Sequence, residues 1–375
     1  MAQLPVDDLE TLRHRRSAKW RAHDPEALPL PVAEMDFRLA EPIRRELAAA
    51  VDRSDTGYAF AGTALPAALA DFSARRWAWT IDPDSVTAVA DVGVGCVELL
   101  RVLSSPGDGV VVNPPVYAPF FSWINETGRR VVEAPLTDDF GLDLDALEEA
   151  FAQGPAVYLL CNPHNPTGRV HTADELAIVA RLAEQYGVRV ISDEVHAPLV
   201  LAGASHTPYL TVPGAADNAL ALVAASKAWN LAGLKCAQIV TASPQMRAIT
   251  DQLPVDVRYR VGHLGVIASV AAYNEGEPWL DDLLETIDAR RTLLPDLLAE
   301  YLPEVGWVRS RATYLAWLDC RAIGSGAEPY EKFLAAGVAI DPGPKFGTGG
   351  SGHVRLNLAT SEEILTEAFR RMSSH

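Results

Sequence analysis

AVYLLCNPHNPTGRVHTADELAIVARLAEQYGVRVISDEVH (residues 156–196) contains three kinds of segment in one run. AVYLLCNP (156–163) is a short apolar stretch of buried-strand length that ends in turn formers. A helix follows. Thr172 with Glu175 three residues on forms a capping box for the first free N–H groups. Leu176, Val179, Ala180 and Ala183 then recur at i, i+3, i+4 and i+7, and Gly187 suits a left-handed helix end. VRVISDEVH (188–196) is a second apolar strand. Strand, helix and strand in this order predict parallel neighbours joined by a crossover helix.

The same alternation continues in both directions. Toward the N-terminus lie a helix at VGCVELLRVLSS (94–105), a strand and turn at GVVVNPP (109–115), a strand at RRVVEAPL (129–136) and a helix at LDALEEAFAQ (144–153). Toward the C-terminus ALALVAAS (219–226) is another apolar strand. Such runs predict an α/β fold with a mainly parallel central sheet and helices on both faces. From Trp279 the pattern changes. A long amphipathic stretch (279–303), interrupted or kinked at Pro295, precedes a strand at TYLAWLDC (313–320), a helix at PYEKFLAAG (329–337) and a strand at HVRLNLA (353–359). The expected organisation is an N-terminal arm (1–45) joining the small domain, a large domain (46–278) and a small α+β C-terminal domain (279–375). The arm is proline-rich and includes PLPVAEMDF (29–37).

Composition narrows the function. The 375 residues carry 49 Asp plus Glu against 32 Lys plus Arg, a formal charge of −17. Nucleic acids and anionic membrane surfaces need a basic face, so neither is an expected partner. The cysteines, Cys96, Cys161, Cys236 and Cys320, are widely spaced, which argues against a disulfide framework or a zinc site. MAQLPVDDLE lacks the basic start of a signal peptide, and no run approaches the length of a membrane span. These features predict a soluble cytoplasmic protein.

In open α/β sheets, ligands bind beyond the carboxyl ends of the strands. Four segments place polar residues there: NPPVYAPF (113–120), NPHNPTG (162–168), SDEVH (192–196) and SKAWNLAG (226–233). Lys227 is either a solvated lysine or a partly buried one, whose lowered pKa makes the amine nucleophilic. Asp193 is either a turn cap or a buried carboxylate paired with a cation; with His196 it lacks a third ligand for a metal. His353, Arg355 and Asn357 share one strand face, which is either solvated or presents a guanidinium fork to a carboxylate. DVGVGCVELL (91–100) puts glycines at the mouth of a helix, where N–H groups and the helix dipole suit a phosphate. GTGGSG (347–352) lacks the G-K-[ST] ending of a nucleotide loop and is expected to be flexible.

The order NPHNPTG, SDEVH, SKxxNLAGLK and VRLN resembles the fold-type I pyridoxal-phosphate (PLP) enzymes of the class I/II aminotransferase superfamily. PVAEMDF, PPVYAPF and NPHNPTGRV are most similar to the MalY/PatB-type cystathionine β-lyases. The resemblance covers nearly the whole chain and implies a role for each matching residue. Lys227 would be the covalent attachment point of PLP, and Asp193 would pair with the protonated pyridine nitrogen. Asn165 and His196 would approach the ring 3′-oxygen, and Tyr117 would stack on the ring. The N–H groups of Val94 and Gly95, with Ser226 and Lys235, would hold the phosphate. Tyr58 would reach the phosphate of a neighbouring subunit in a homodimer with shared sites. Arg355 would bind the α-carboxylate of an amino-acid substrate. Three positions depart from the family pattern: Ala224 replaces a phosphate-binding hydroxyl, Lys235 stands where aminotransferases carry Arg, and Glu34 replaces Asp before Met35. The activity implied is a PLP-dependent C–S β-elimination releasing a thiol, pyruvate and ammonia. The alternatives are an aminotransferase and a regulatory protein on the same fold.

Overall fold

The computed structural model describes residues 4–323 and 328–374, so the ends of the expected arm and small domain, and residues 324–327, lie outside the described residues. Cys161 sits opposite Asp193 in a parallel pair of strands, the two ends of the stretch quoted first. They belong to a seven-stranded sheet: β1 (Val86–Val89), β2 (Gly109–Val112), β3 (Arg130–Glu133), β4 (Val157–Cys161), β5 (Arg189–Asp193), β6 (Ala219–Val223) and β7 (Ala237–Thr241). The order across the sheet is β1-β7-β6-β5-β4-β2-β3. Only β7 runs against its neighbours.

Every residue of β2, β4, β6 and β7 is buried, as strands covered on both faces require. Alternate residues feed two cores: Tyr158 and Leu160 pack in one, Val157, Leu159 and Cys161 in the other. The helix Ala173–Tyr186 carries its capping box at Thr172 and Glu175 and ends on Gly187 at φ 69°. It covers one face with the helices Ala64–Trp77 and His263–Glu275. Val92–Leu103 and Pro119–Glu126 cover the other.

A separate core gathers both ends of the chain. Leu12, Trp20, Leu28 and Leu30 pack with Leu294, Leu298, Val354 and Phe369. Leu28–Pro29 pairs in parallel with Val338–Ala339. Beside them lies a four-stranded antiparallel sheet, Asp341–Pro342, His353–Asn357, Leu315–Asp319 and Gly306–Trp307. Leu12, Trp20, Leu28 and Leu30 thus build the N-terminal segment into this core. The helix Glu277–Tyr301 runs without a break through Pro295. Leu294, Leu297 and Leu298 are buried around the proline, so packing offsets the missing backbone hydrogen bond. Arg355 and the rest of its strand are buried, which removes the solvent-facing alternative. The expected flexibility of GTGGSG is also corrected. A Cβ on Gly347 would lie 2.5 Å from Phe121, and the Cys320 N–H donates to the Gly352 carbonyl at 2.9 Å. The glycines permit close packing. Among the described residues no helix is long and apolar enough to cross a membrane.

Candidate active site

A cavity of about 730 Å³ opens beyond the carboxyl ends of β2, β4, β5 and β6. The start of the helix Val92–Leu103 forms one wall, and Asp341, Phe346 and Arg355 close the cavity from the small sheet. Lys227, Asp193, Asn165, His196, Tyr117, Val94, Ser226, Lys235 and Arg355 all line it. Val94 and Arg355, 261 positions apart in the chain, thus face one space.

Lys227 follows β6 at the cavity wall. Its Nζ donates to the Ala33 carbonyl at 3.2 Å. Burial, with the charge of Arg355 second, lowers its pKa to about 8, so a substantial fraction of the amine is neutral near physiological pH. Asp193 ends β5 and is buried; one oxygen accepts the Val195 N–H at 3.1 Å. Burial raises its pKa to about 7, against the opposing effects of that hydrogen bond and of Lys227. His196, one turn further on, is buried with its Nδ1 unpartnered, and burial pushes its pKa down to about 3. Tyr117 rests edge-on against Phe120 and Trp123, and burial raises its pKa to about 12.

Arg355 is held from several sides. Its Nη1 donates to Asn165 Oδ1 at 2.9 Å, and its Nη2 to the Pro31 carbonyl at 3.1 Å and to Asp341. Phe346 lies under the guanidinium at 5.0 Å. The buried Nε has no hydrogen-bond partner within the protein. Asn165 spends its oxygen on Arg355, which leaves its amide nitrogen to donate to an acceptor in the cavity.

The segment around Glu34 forms a clamp over the cavity. Asn357 Nδ2 donates to the carbonyls of Val32 and Glu34, each at 2.6 Å. Asn230, in the left-handed region at φ 58°, bonds both the N–H and the carbonyl of Met35. Asp36 is buried against Lys19 at 2.7 Å and Trp20 Nε1 at 3.0 Å. Glu34 thus replaces a side chain in a segment fixed by its backbone.

One expectation about the phosphate site needs correction. Asp91 caps the helix: its Oδ1 accepts the Val94 N–H at 2.8 Å, and its carbonyl accepts the Gly95 N–H at 3.0 Å. Both amides named from the sequence are therefore engaged, and Gly95 lies behind the cavity wall against Leu222 and Val89. The N–H groups of Val92 and Gly93, at the first two helical positions, are the ones left for a ligand. The Lys235 Nζ is paired with Asp91 at 2.9 Å at the cavity wall. Ala224 supplies no hydroxyl, whereas Ser226 is on the wall. Tyr58 lies outside this cavity, 84% exposed, with its ring edge-on to Tyr259 at 6.2 Å.

Sequence reasoning missed Asp341, Lys345, Ala33 and Asn230. Asp341 bonds both Arg355 and Lys345. Nothing local in AIDPG marks this aspartate, because its partner stands on a neighbouring strand.

The titration of Asp193 can be tested directly. In the ligand-free folded chain its carboxyl stays protonated up to about pH 7, against 3.8 as the ordinary value. The folded state therefore holds an extra proton between those values, and the associated stability is lost as pH rises through that window. Asp193→Asn keeps an acceptor for Val195 and cannot ionise. Its melting temperature, relative to ligand-free wild type, is expected to rise from pH 4 to pH 7. His196 is common to both proteins and cancels in the comparison. A difference that does not change with pH contradicts the assignment.

An amine, a buried carboxyl group, a guanidinium and the start of a helix thus face one cavity. The chain belongs to the aminotransferase class I and II family, whose profile matches residues 34–372. It is 48% identical over 397 residues to a Mycobacterium leprae protein provisionally named cystathionine beta-lyase, covering 99% of this chain and 98% of that one. It is 36% identical over 371 residues to the cystathionine beta-lyase of Corynebacterium glutamicum, covering 98% of each. Among solved structures, it matches a provisionally assigned PLP-dependent beta-cystathionase from Corynebacterium diphtheriae with a TM-score of 0.95 and 35% identity, covering 99% of this chain and 98% of that one.

Proposed function

We propose that this protein is a PLP-dependent C–S β-lyase acting on a sulfur amino acid of the cystathionine type. The observation that carries the reading is the convergence of Lys227, Asp193 and Arg355 on one cavity, in a chain whose full-length relatives carry cystathionine β-lyase names.

The residues fit the cofactor on their own chemistry. The unpartnered Nδ1 of His196 and the free amide nitrogen of Asn165 suit a ring oxygen. Asp193 suits a protonated ring nitrogen, Tyr117 a ring face, and Val92, Gly93 and Ser226 a phosphate. Bound there, PLP supplies an electron sink for charge released at the substrate Cα. Asp193 keeps that sink effective by staying ionised beside a cation, which also lowers the carboxyl pKa from its ligand-free value. Arg355 and Asn165 hold the substrate carboxylate and so fix which Cα bond faces Lys227. Lys227 then takes the Cα proton and can return a proton to the departing sulfur. The clamp at Ala33 keeps the Lys227 amine aimed into the cavity.

The proposed assembly is a homodimer in which Tyr58 reaches the partner's phosphate site. The exposed set Tyr58, Phe60, Val255 and Tyr259 supports it, since such a patch is unusual on a free surface. Sedimentation should show a dimer. A mixed dimer of Lys227→Ala and Tyr58→Ala chains should recover activity in the site that contains neither change. A monomeric protein or a lack of recovery contradicts the shared site.

The lyase reading is tested by thiol release from cystathionine by the PLP-loaded protein. Release above a protein-free control is expected; release no faster than the control contradicts it.

A further inference from the structure

The Asp91 carboxylate uses both oxygens at the wall where the phosphate is placed. Oδ1 caps the helix through Val94, and Oδ2 pairs with Lys235 Nζ at 2.9 Å. The cations at this mouth are already matched: Arg101 pairs with Glu98 at 2.7 Å and Arg260 with Asp256. Gly93 cannot be replaced by a residue with a functional side chain, because a Cβ there would lie 2.7 Å from the Trp123 ring. A phosphate reaching the Val92 and Gly93 amides therefore meets a neutralised lysine and a fixed negative charge. Capping does not require that charge, since Asn and Ser cap helices as well as Asp does.

We propose that Asp91 acts as an electrostatic brake on cofactor binding: its carboxylate competes with the phosphate for Lys235 and repels the bound dianion. This inference rests on the reading of the cavity as a PLP site. It makes retention of the cofactor sensitive to salt and places the control at one side chain outside the reacting centre.

The test uses cofactor-stripped protein titrated with PLP and, separately, with pyridoxal, which has the same ring without the phosphate. Binding is followed by tryptophan fluorescence and by the visible absorbance of the cofactor. Asp91→Asn is expected to bind PLP about 10-fold tighter or more, on the scale of removing a like charge near a protein surface. Its affinity for pyridoxal should match wild type, and the gain with PLP should shrink at high salt. Asp91→Ser, which also keeps a cap, should shift affinity in the same direction, and far-UV circular dichroism checks that both variants are folded. If wild type binds PLP and neither folded variant binds it more tightly, the brake is wrong and the PLP site stands. An equal gain for pyridoxal also overturns the brake. If wild type binds no PLP, the reading of the cavity itself fails.

Discussion

Lys227→Ala is expected to lower turnover by about 10⁴-fold or more and to abolish the visible absorbance that marks covalent attachment of PLP. The magnitude follows from losing a proton-transfer group and a covalent anchor together. Lys227 is the lysine that burial pushes down to about pH 8 within this cavity, which makes its amine able both to attack and to carry a proton. Lys235 is not expected to replace it, because its ammonium is paired with Asp91. Lys227→Arg gives a useful control. Arginine keeps the positive charge but does not deprotonate in proteins, so this variant should be as inactive as the alanine variant. Steady-state turnover and an absorbance scan of the loaded proteins check both statements. Retained absorbance in Lys227→Ala would mean that another amine carries the cofactor.

Arg355→Ala has the second largest expected effect, and it falls on substrate binding. Truncating one side of a buried charge pair costs roughly 2–5 kcal/mol, about 30-fold to several thousand-fold in kcat/KM. The loss should appear mainly in KM, because Arg355 holds the carboxylate and Lys227 does the proton transfer. Asp341 keeps Lys345 as a partner in this variant, so the fold is not left with an isolated buried carboxylate. Arg355→Lys should recover only part of the loss, since a point charge cannot bond a carboxylate from Nε and leave Nη1 on Asn165. An unchanged KM in Arg355→Ala contradicts the assignment.

The parts of this fold legible in the sequence are those governed by local rules. The capped helix from Thr172 to Gly187 was visible because each signal lies within one turn of its partner. The strand ends bearing Asn165, Asp193 and Lys227 were visible because apolar runs there stop abruptly at polar residues. What escaped depends on distant partners or on a single residue of phase. β7 was hidden by Gln238, a buried amide at the second position of the strand whose oxygen accepts the Tyr273 hydroxyl at 2.9 Å. The Val94 and Gly95 amides, expected to be free, are engaged because Asp91 is the cap, which the sequence did not reveal. Once Asp91 takes the Val94 N–H, the free donors must lie earlier. The role of Leu28 and Leu30 depends on Val338 and Ala339, more than 300 residues away, and no period within the N-terminal segment encodes it.

The product ratio from cystathionine with no 2-oxo acid present tests the lyase activity most directly. A β-lyase forms one pyruvate for each thiol released and does so without an amino acceptor. An aminotransferase, which belongs to the same family, needs an added 2-oxo acid and releases no thiol by elimination. Pyruvate and thiol are expected in equal amounts, at a rate unchanged by added 2-oxo acid. Turnover that begins only when a 2-oxo acid is added, with no matching thiol, would contradict it.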